Sequence, residues 1–350
     1  VVDSGLARVP RFDPRRGLNT LGTEPISRAS AEQRAGRAGR TAPGTCRRLW
    51  TAGEHRHRAG QTEPEIRRLE LSETLLLVKS LGTRDVAELP WYEAPAPDAL
   101  TRAEALLDRL GALGADGRLS GTGVRMAALP MHPRLGRMLV EAADRGCLKP
   151  ACAWAAIASE GDFVGRGPAK KARGERSDLA WRARLLEKAA AAGFDSGRCR
   201  GLGVDPRAGR QVEQTRKLFV RAAGRARLHG NGDGGRGARA GSDEACALRR
   251  SVLAGFPDRV ARRRRSGDST CEMPGLSRVE VGHDSAVDHV GLLVAAEVRE
   301  QTAGKHPVTR LGMATAIEAD DLLELFPEGI ETEEETSWDA GHRRVVRRER

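Results

Sequence analysis

The chain has 350 residues and carries 59 Lys+Arg against 48 Asp+Glu, a formal charge of +11, and 52 of its basic residues are arginine. This length allows two or more domains with separate cores, and the arginine excess suits phosphate, which guanidinium grips in planar, bidentate fashion, although a coding bias accounts for it equally well. Six dispersed cysteines without a Cys-x-x-Cys pair exclude a disulfide-stapled fold and a zinc site of usual spacing and imply reduced thiols in a soluble, cytoplasmic protein, while the absence of an apolar run of roughly 18 residues or a signal-peptide layout implies no membrane.

Val1-Val2-Asp3-Ser4-Gly5 reads as the end of a buried strand entering a glycine turn, and the basic stretch 343–350 stops without a closing turn. Both ends are therefore expected to be cuts in a longer polypeptide. Residues 6–26 alternate basic and apolar positions around Asp13-Pro14 and Gly17, which predicts a β-hairpin. Ser30-Ala31-Glu32-Gln33 matches a capping box and predicts a helix from Ala31 to about Arg40, followed by a short strand from Cys46 to Thr51. Residues 54–63 are polar; Pro64 opens a predicted helix to Gly82 with Ile66, Leu69, Leu76, Leu77 and Leu81 on a broad apolar face. After a Pro-rich connector, Thr101–Glu104 is a second capping box, with Ala103, Leu106, Leu107, Leu110 and Leu113 at helical spacing.

From Leu129 to Glu160 the periodicity predicts a helical bundle with Pro133 at a helix start, and an amphipathic helix is expected over about 178–192. Residues 161–176 and 229–241 are rich in Gly and charge and read as connectors. Beyond residue 250, strands are predicted at Val279/Val281, Val290–Val298 and Thr309–Ile317, a helix over Glu318–Phe326, and a hairpin from Trp338 to Val345.

One motif carries chemistry: Gln33-Arg34-Ala35-Gly36-Arg37-Ala38-Gly39-Arg40. On a helix, Gln33, Arg37 and Arg40 stand at i, i+4 and i+7 and project within an arc of about 60°. Each helical glycine costs on the order of 1 kcal/mol relative to Ala, so Gly36 and Gly39 suggest that something approaches the backbone closely. Two guanidinium groups and an amide converging on a γ-phosphate would stabilise charge in phosphoryl transfer and orient the attacking water. The competing account is a capping Gln33 and solvated arginines.

The octet resembles motif VI of superfamily 2 helicases. Val1–Arg8, Pro25–Ser30, Pro64–Arg68 and Ala127–Leu135 are similar to segments of the DEAH-box ATP-dependent helicases, and Phe256–Ala261, Leu325–Pro327 and Trp338-Asp339 to their bacterial HrpB-type subgroup. The resemblance covers 1–160 well, 250–350 moderately, and not 165–248. It implies an α/β and mostly α multidomain fold: the C-terminal part of the second RecA-like helicase lobe over 1–60, a winged helix over 61–113, a helical ratchet bundle over 114–200, a divergent Gly-rich linker over 201–249, and a small β-rich C-terminal domain over 250–350. It further implies that Gln33 positions water, that Arg37 and Arg40 contact the γ-phosphate, and that Gln33, Gly36, Arg37 and Arg40 form part of an ATP site. Residues 6–26 would separate strands, and the partner would be RNA or single-stranded DNA, engaged by a monomer.

The sequence contains no Gly-x-x-x-x-Gly-Lys-[Ser/Thr] loop and no Asp-Glu-x-His motif, so ATP and Mg²⁺ would be held mainly by an N-terminal portion lying outside it and the chain alone is expected to be inactive. The alternative is a non-hydrolytic nucleic-acid-binding remnant. Arg262–Arg265 and 170–173 could equally touch a nucleic-acid backbone or be solvated. Residues 331–335 read as a solubilising acidic turn, His132 as a helix-entry residue, and His55 and His57 as solvated.

Overall fold

The computed structural model describes residues 1–13, 18–165, 172, 174–228, 242–265, 267–303, 306–329, 334–339 and 344–349. β1 (Val2–Asp3) leads into the antiparallel hairpin β2 (Leu6–Asp13) and β3 (Leu18–Pro25), which pairs Leu6 with Pro25 through Asp13 with Leu18 as the alternation predicts. Residues 14–17 of its expected tip lie outside the described residues. α1 (Arg28–Gly36) and a 3₁₀ turn (Arg37–Gly39) follow, and β4 (Arg47–Arg48) returns parallel to β1.

α1 starts three residues before the predicted Ala31. Its N-cap is Ser27, whose hydroxyl accepts from the Ser30 amide at 3.1 Å, while the Arg28 and Ala29 amides donate to the Ala59 and Gly60 carbonyls. A distant segment therefore satisfies the first-turn donors that the local capping box was expected to serve.

The polar stretch after β4 contains a helix, α2 (Ala52–His57), closed by a reciprocal capping box between Thr51 and Glu54. The single helix expected from Pro64 to Gly82 is two, α3 (Glu65–Arg68) and α4 (Ser72–Ser80), interrupted where the Glu70 carboxylate accepts from the Ser72 amide at 2.8 Å and hydroxyl at 2.6 Å. Only one side of α4 is inward: Leu75 and Leu76 are buried, whereas Leu77 is 59% and Leu81 78% exposed. α5 (Pro97–Arg109) begins four residues ahead of the predicted box because Pro97 sits at N1, a position where its missing N–H costs nothing. A single β-bridge between Leu113 and Leu119 precedes α6 (Gly121–Ala127). Gly123 is obligatory there, since a Cβ would stand 2.1 Å from the Ala112 carbonyl oxygen.

The main core lies in a helical bundle: α7 (Pro133–Asp144), α8 (Leu148–Glu160), α9 (Asp178–Ala191), α10 (Ser196–Leu202), α11 (Pro206–Arg225) and α12 (Ser242–Gly255). Met138, Leu139, Ile157, Leu179, Leu186, Val252 and Leu253 are fully enclosed. The expected linker over 201–249 is thereby corrected: α11 is 20 residues long and buries Val212, Thr215, Phe219 and Ala223 at i, i+3/i+4 spacing against α8 and α9. Residues 229–241 and most of 166–173 lie outside the described residues.

β5 (Val260–Arg263), β6 (Thr270–Met273), β7 (Leu276–Val281), β8 (Leu292–Ala303) and β9 (His306–Ala316) close a barrel in the order β5-β6-β7-β9-β8. Every pairing is antiparallel except β7 with β9, the strand arrangement of an OB fold. α13 (Ala319–Leu325) and the hairpin β10 (Glu334–Asp339) with β11 (Arg344–Glu349) complete the chain as expected; Glu334 and Glu335 open a strand rather than a turn, and 331–333 lie outside the described residues.

Bundle and barrel are joined by buried polar groups. The Asp178 carboxylate, at the start of α9, accepts from Ser285 Oγ at 2.7 Å, the Ala286 amide at 2.7 Å and the Ala314 amide at 2.9 Å. The preceding Met313 has φ +49°, in the left-handed region, where the β8–β9 ladder keeps its register on either side. Arg134, on the first turn of α7, forms a bidentate pair with Asp258 just before β5. Burial alone would raise the Asp258 carboxyl, but the hydrogen bonds and charge of Arg134, helped by Arg259, outweigh it and hold the pKa at about 2.

Candidate functional site

The arginine-rich octet spans α1 and the 3₁₀ turn after it. Ala31 is its buried anchor, and Gln33, Gly36, Arg37, Gly39 and Arg40 are all exposed. Gln33 and Arg37 line an open depression of about 340 Å³ together with Val1, Val2, Asp3, Ser30 and Arg34. Arg40 does not line it, so two of the three expected fork residues meet there. None of the three side chains makes a hydrogen bond or ion pair with a described residue. A Cβ at Gly36 or Gly39 would find no atom within 4 Å, so the space beside the backbone is open within this chain.

What fixes the helix against the sheet is Arg34, the octet member the sequence reading left without a role. Its Nη1 donates to Asp3 Oδ1 at 3.0 Å and to the Leu6 carbonyl at 3.2 Å. Asp3 Oδ1 also accepts from the Gly5 amide, while Asp3 Oδ2 is buried with no partner among the described residues. The acid is itself 4% exposed and faces the same depression. A lone carboxylate in the opening strand, facing an arginine-rich helix, was the available sequence signal for this clamp.

A second clamp holds the hairpin base. Arg58 Nη1 donates to the Gly5 carbonyl at 2.8 Å and the Ile26 carbonyl at 3.1 Å, and its guanidinium lies 4.3 Å from the Trp50 ring centroid. Gly5 has φ +69°, and a Cβ there would fall 2.5 Å from Arg58 Nη2 and 2.6 Å from Trp50, so both backbone conformation and space demand glycine. Further out, Arg11 pairs with Glu24 and Glu63, and Arg68 donates to the Pro10 carbonyl, tying the hairpin to α3.

The remaining candidates resolve as structure. His132 is the N-cap of α7, accepting from the Arg134 amide, with Glu70 3.5 Å from its Nε2. His55 stacks on Trp50, and His57 bonds the Gly53 carbonyl. In the Arg262–Arg265 cluster, Arg262 and Arg264 pair with Glu272 and Arg263 turns inward to the Val287 and Val290 carbonyls. Among the described residues the cysteines are free, no group of His, Cys, Asp or Glu is placed to hold a metal, and no helix is long and apolar enough to cross a membrane.

An exposed amide and guanidinium beside unobstructed glycines can receive a phosphate-like anion from outside this chain. Comparisons with known proteins bear on which one. Residues 132–232 match the helicase associated domain (HA2), ratchet-like. The chain is 30% identical over 340 residues to the ATP-dependent RNA helicase HrpB of Escherichia coli (strain K12), an alignment covering 97% of this chain and 36% of that protein. The solved structure of the E. coli DExH-box NTPase HrpB matches with a TM-score of 0.66 at 30% identity, covering 100% of this chain and 37% of the other. A second, of the E. coli DEAH/RHA helicase HrpB, gives 0.64 at 28% identity, covering 100% and 38%. The chain thus spans a little over a third of the length of these relatives.

Proposed function

We propose, from the premise that this chain is similar along its whole length to the HrpB-type DEAH-box helicases, that it is the portion of an ATP-dependent nucleic-acid helicase that completes the ATP site and guides the strand. The carrying observation is that Gln33 and Arg37 are exposed, unbonded to described residues and gathered at one depression beside the buried Asp3. Residues that serve only packing or solubility have no reason to converge there behind a dedicated Arg34–Asp3 clamp.

In this reading, residues 1–60 are the end of a second RecA-like lobe. The parallel pairing of β1 with β4 supports it, because parallel strands belong to sheets covered on both faces, and here Val2 and Leu49 are 71% and 61% exposed. Gln33 orients the attacking water, and Arg37 and Arg40 neutralise charge on the γ-phosphate. ATP, with its Mg²⁺, supplies the driving reaction and is held mainly by residues outside this chain. Residues 61–113, with α6 adjoining, serve as a winged helix, the bundle as a ratchet, and the β2–β3 hairpin as the strand separator. The substrate is RNA or single-stranded DNA, the protein is a cytoplasmic monomer, and the chain alone is inactive. A second reading, non-hydrolytic binding, is favoured by the absence of a phosphate-cradling loop from the sequence.

Nucleic-acid-stimulated ATPase of the full-length protein decides between them. Arg37→Ala is expected to lower turnover by about 10³-fold or more with unfolding unchanged; near-normal turnover would remove Arg37 from the site.

A further inference from the structure

Arg34 divides one nitrogen between two acceptors. Its Nη1 donates to Asp3 Oδ1 at 3.0 Å and to the Leu6 carbonyl at 3.2 Å, while its Nε and Nη2 bond no described residue. Asp3 is its complement: Oδ1 is shared between Arg34 and the Gly5 amide, and Oδ2 is buried and unpartnered among the described residues. A guanidinium and a carboxylate joined by one bond, each with a second prong free, fall short of the stronger parallel fork. An enclosed oxygen without a donor is costly as well. The pair therefore has a second arrangement within reach of a turn of the guanidinium.

Leu6 opposes that turn. Gly5 and Ile26 form a bonded pair of the hairpin ladder, with the Ile26 amide donating to the Gly5 carbonyl at 2.9 Å, so the next carbonyl, that of Leu6, points away from β3 and finds its donor in Arg34. The guanidinium is planar and rigid, so bringing a second N–H onto Asp3 Oδ2 swings Nη1 off Leu6. In one arrangement the base of β2 is tied to α1; in the other Asp3 is gripped by both oxygens and β2 is let go. Arg58 holds the Gly5 and Ile26 carbonyls and serves as the pivot. Farther along, the hairpin is joined to α3 by Arg68 on the Pro10 carbonyl and to α5 by Arg102, whose guanidinium lies 5.8 Å from the Phe12 ring centroid.

The choice between the two arrangements is made on α1. Arg34 stands on the same turn as Gln33 and Arg37 and lines the same depression as they and Asp3 do. Among the described residues it is the α1 side chain bonded to β2.

We infer that Asp3 and Arg34 are positioning residues that couple phosphate contact on α1 to the hairpin: when Gln33 and Arg37 close on the phosphate, Arg34 passes from the Leu6 carbonyl to a two-pronged grip on Asp3, and the base of β2 is released. The inference rests on the helicase reading of α1 and adds to it a discrete two-state element that both sites can bias.

The test uses the full-length protein and a duplex with single-stranded overhangs, following phosphate release and strand separation together, so that the readout is the ATP hydrolysed per duplex separated. Asp3→Asn keeps the Oδ1 acceptor and replaces Oδ2 by a group that cannot accept, whereas Arg34→Lys keeps the charge and offers no fork. Each should raise the ATP hydrolysed per duplex about tenfold, the usual scale of coupling between sites. The double variant should be no worse than either single one, because both disable the same element. A clamp that only holds the fold predicts parallel loss of hydrolysis and separation, or wild-type behaviour in Arg34→Lys. Either result, or ratios within about twofold of wild type in both variants, overturns the inference. Thermal melts report folding, and if Arg34→Lys melts early, Asp3→Asn decides alone. A wild-type protein that hydrolyses no ATP in the presence of nucleic acid brings down the helicase reading and this inference with it, a failure visible before any variant is made.

Discussion

Asp258→Asn removes the counter-charge from Arg134, whose side chain is 8% exposed against 24% for its partner. Two magnitudes bound the effect. Stranding a buried guanidinium costs about 3–5 kcal/mol. The fall of the Asp258 pKa from an ordinary 3.8 to about 2 corresponds to about 2 kcal/mol of preference for the ionised, paired state. The first figure is larger because it includes the penalty on the cation left behind. The sign with pH follows from the depressed pKa: this stability is complete above 3.8 and is lost as pH falls through about 2. Urea unfolding followed by tryptophan fluorescence reads the bundle, where Trp154 and Trp181 are 5% and 7% exposed. The expected outcome is a variant less stable by about 2–5 kcal/mol at pH 7, with the gap to wild type narrowing between pH 4 and pH 2. A gap under about 0.5 kcal/mol, the range of ordinary surface substitutions, or one that ignores pH, would refute the argument that this pair staples α7 to the barrel.

Gly5→Ala forces a Cβ to within 2.5 Å of Arg58 Nη2 at φ +69°, so a loss of at least about 2 kcal/mol is expected, seen as faster proteolysis of the hairpin. Arg34→Ala leaves Asp3, with a side chain 2% exposed, without its cation; hydrogen exchange at the Gly5 amide should accelerate at least tenfold, and unchanged protection would show that the clamp is idle. Leu77→Lys with Leu81→Lys, both on the outward side of α4, should alter unfolding by less than about 0.5 kcal/mol, whereas Leu75→Ala, buried at 1%, should cost about 2–5 kcal/mol.

The hairpin was legible because its alternation and its pairing are both local. The start of α1 was not, because Ser27 is joined to Thr62 and the first amides to Ala59 and Gly60, contacts that no window around Ser30 contains. The break at Glu70 hid for a related reason: a glutamate inside an apolar helical period gives no hint that it will fold back onto Ser72. α11 is obscured by composition, since dense charge and two glycines surround a sound period at Val212, Thr215, Phe219 and Ala223. Of the candidate site, the convergence of Gln33 and Arg37 on one depression follows from their spacing, while Arg58 and Asp3 act through tertiary contacts only.

The seam at Asp178 bears on inheritance. The recognisable ratchet-like family segment ends at residue 232, yet the three donors that satisfy this buried carboxylate come from residues 285, 286 and 314. A gene rearrangement that delivered the segment without the barrel would strip the carboxylate of these three donors, leave it to Arg182 at 3.6 Å and to water, and uncover the core that Val294, Ala296, Met313 and Ile317 help to close. The unit that recombination can move intact is therefore larger than the unit that sequence comparison delimits, and bundle and barrel are expected to travel through evolution as one piece.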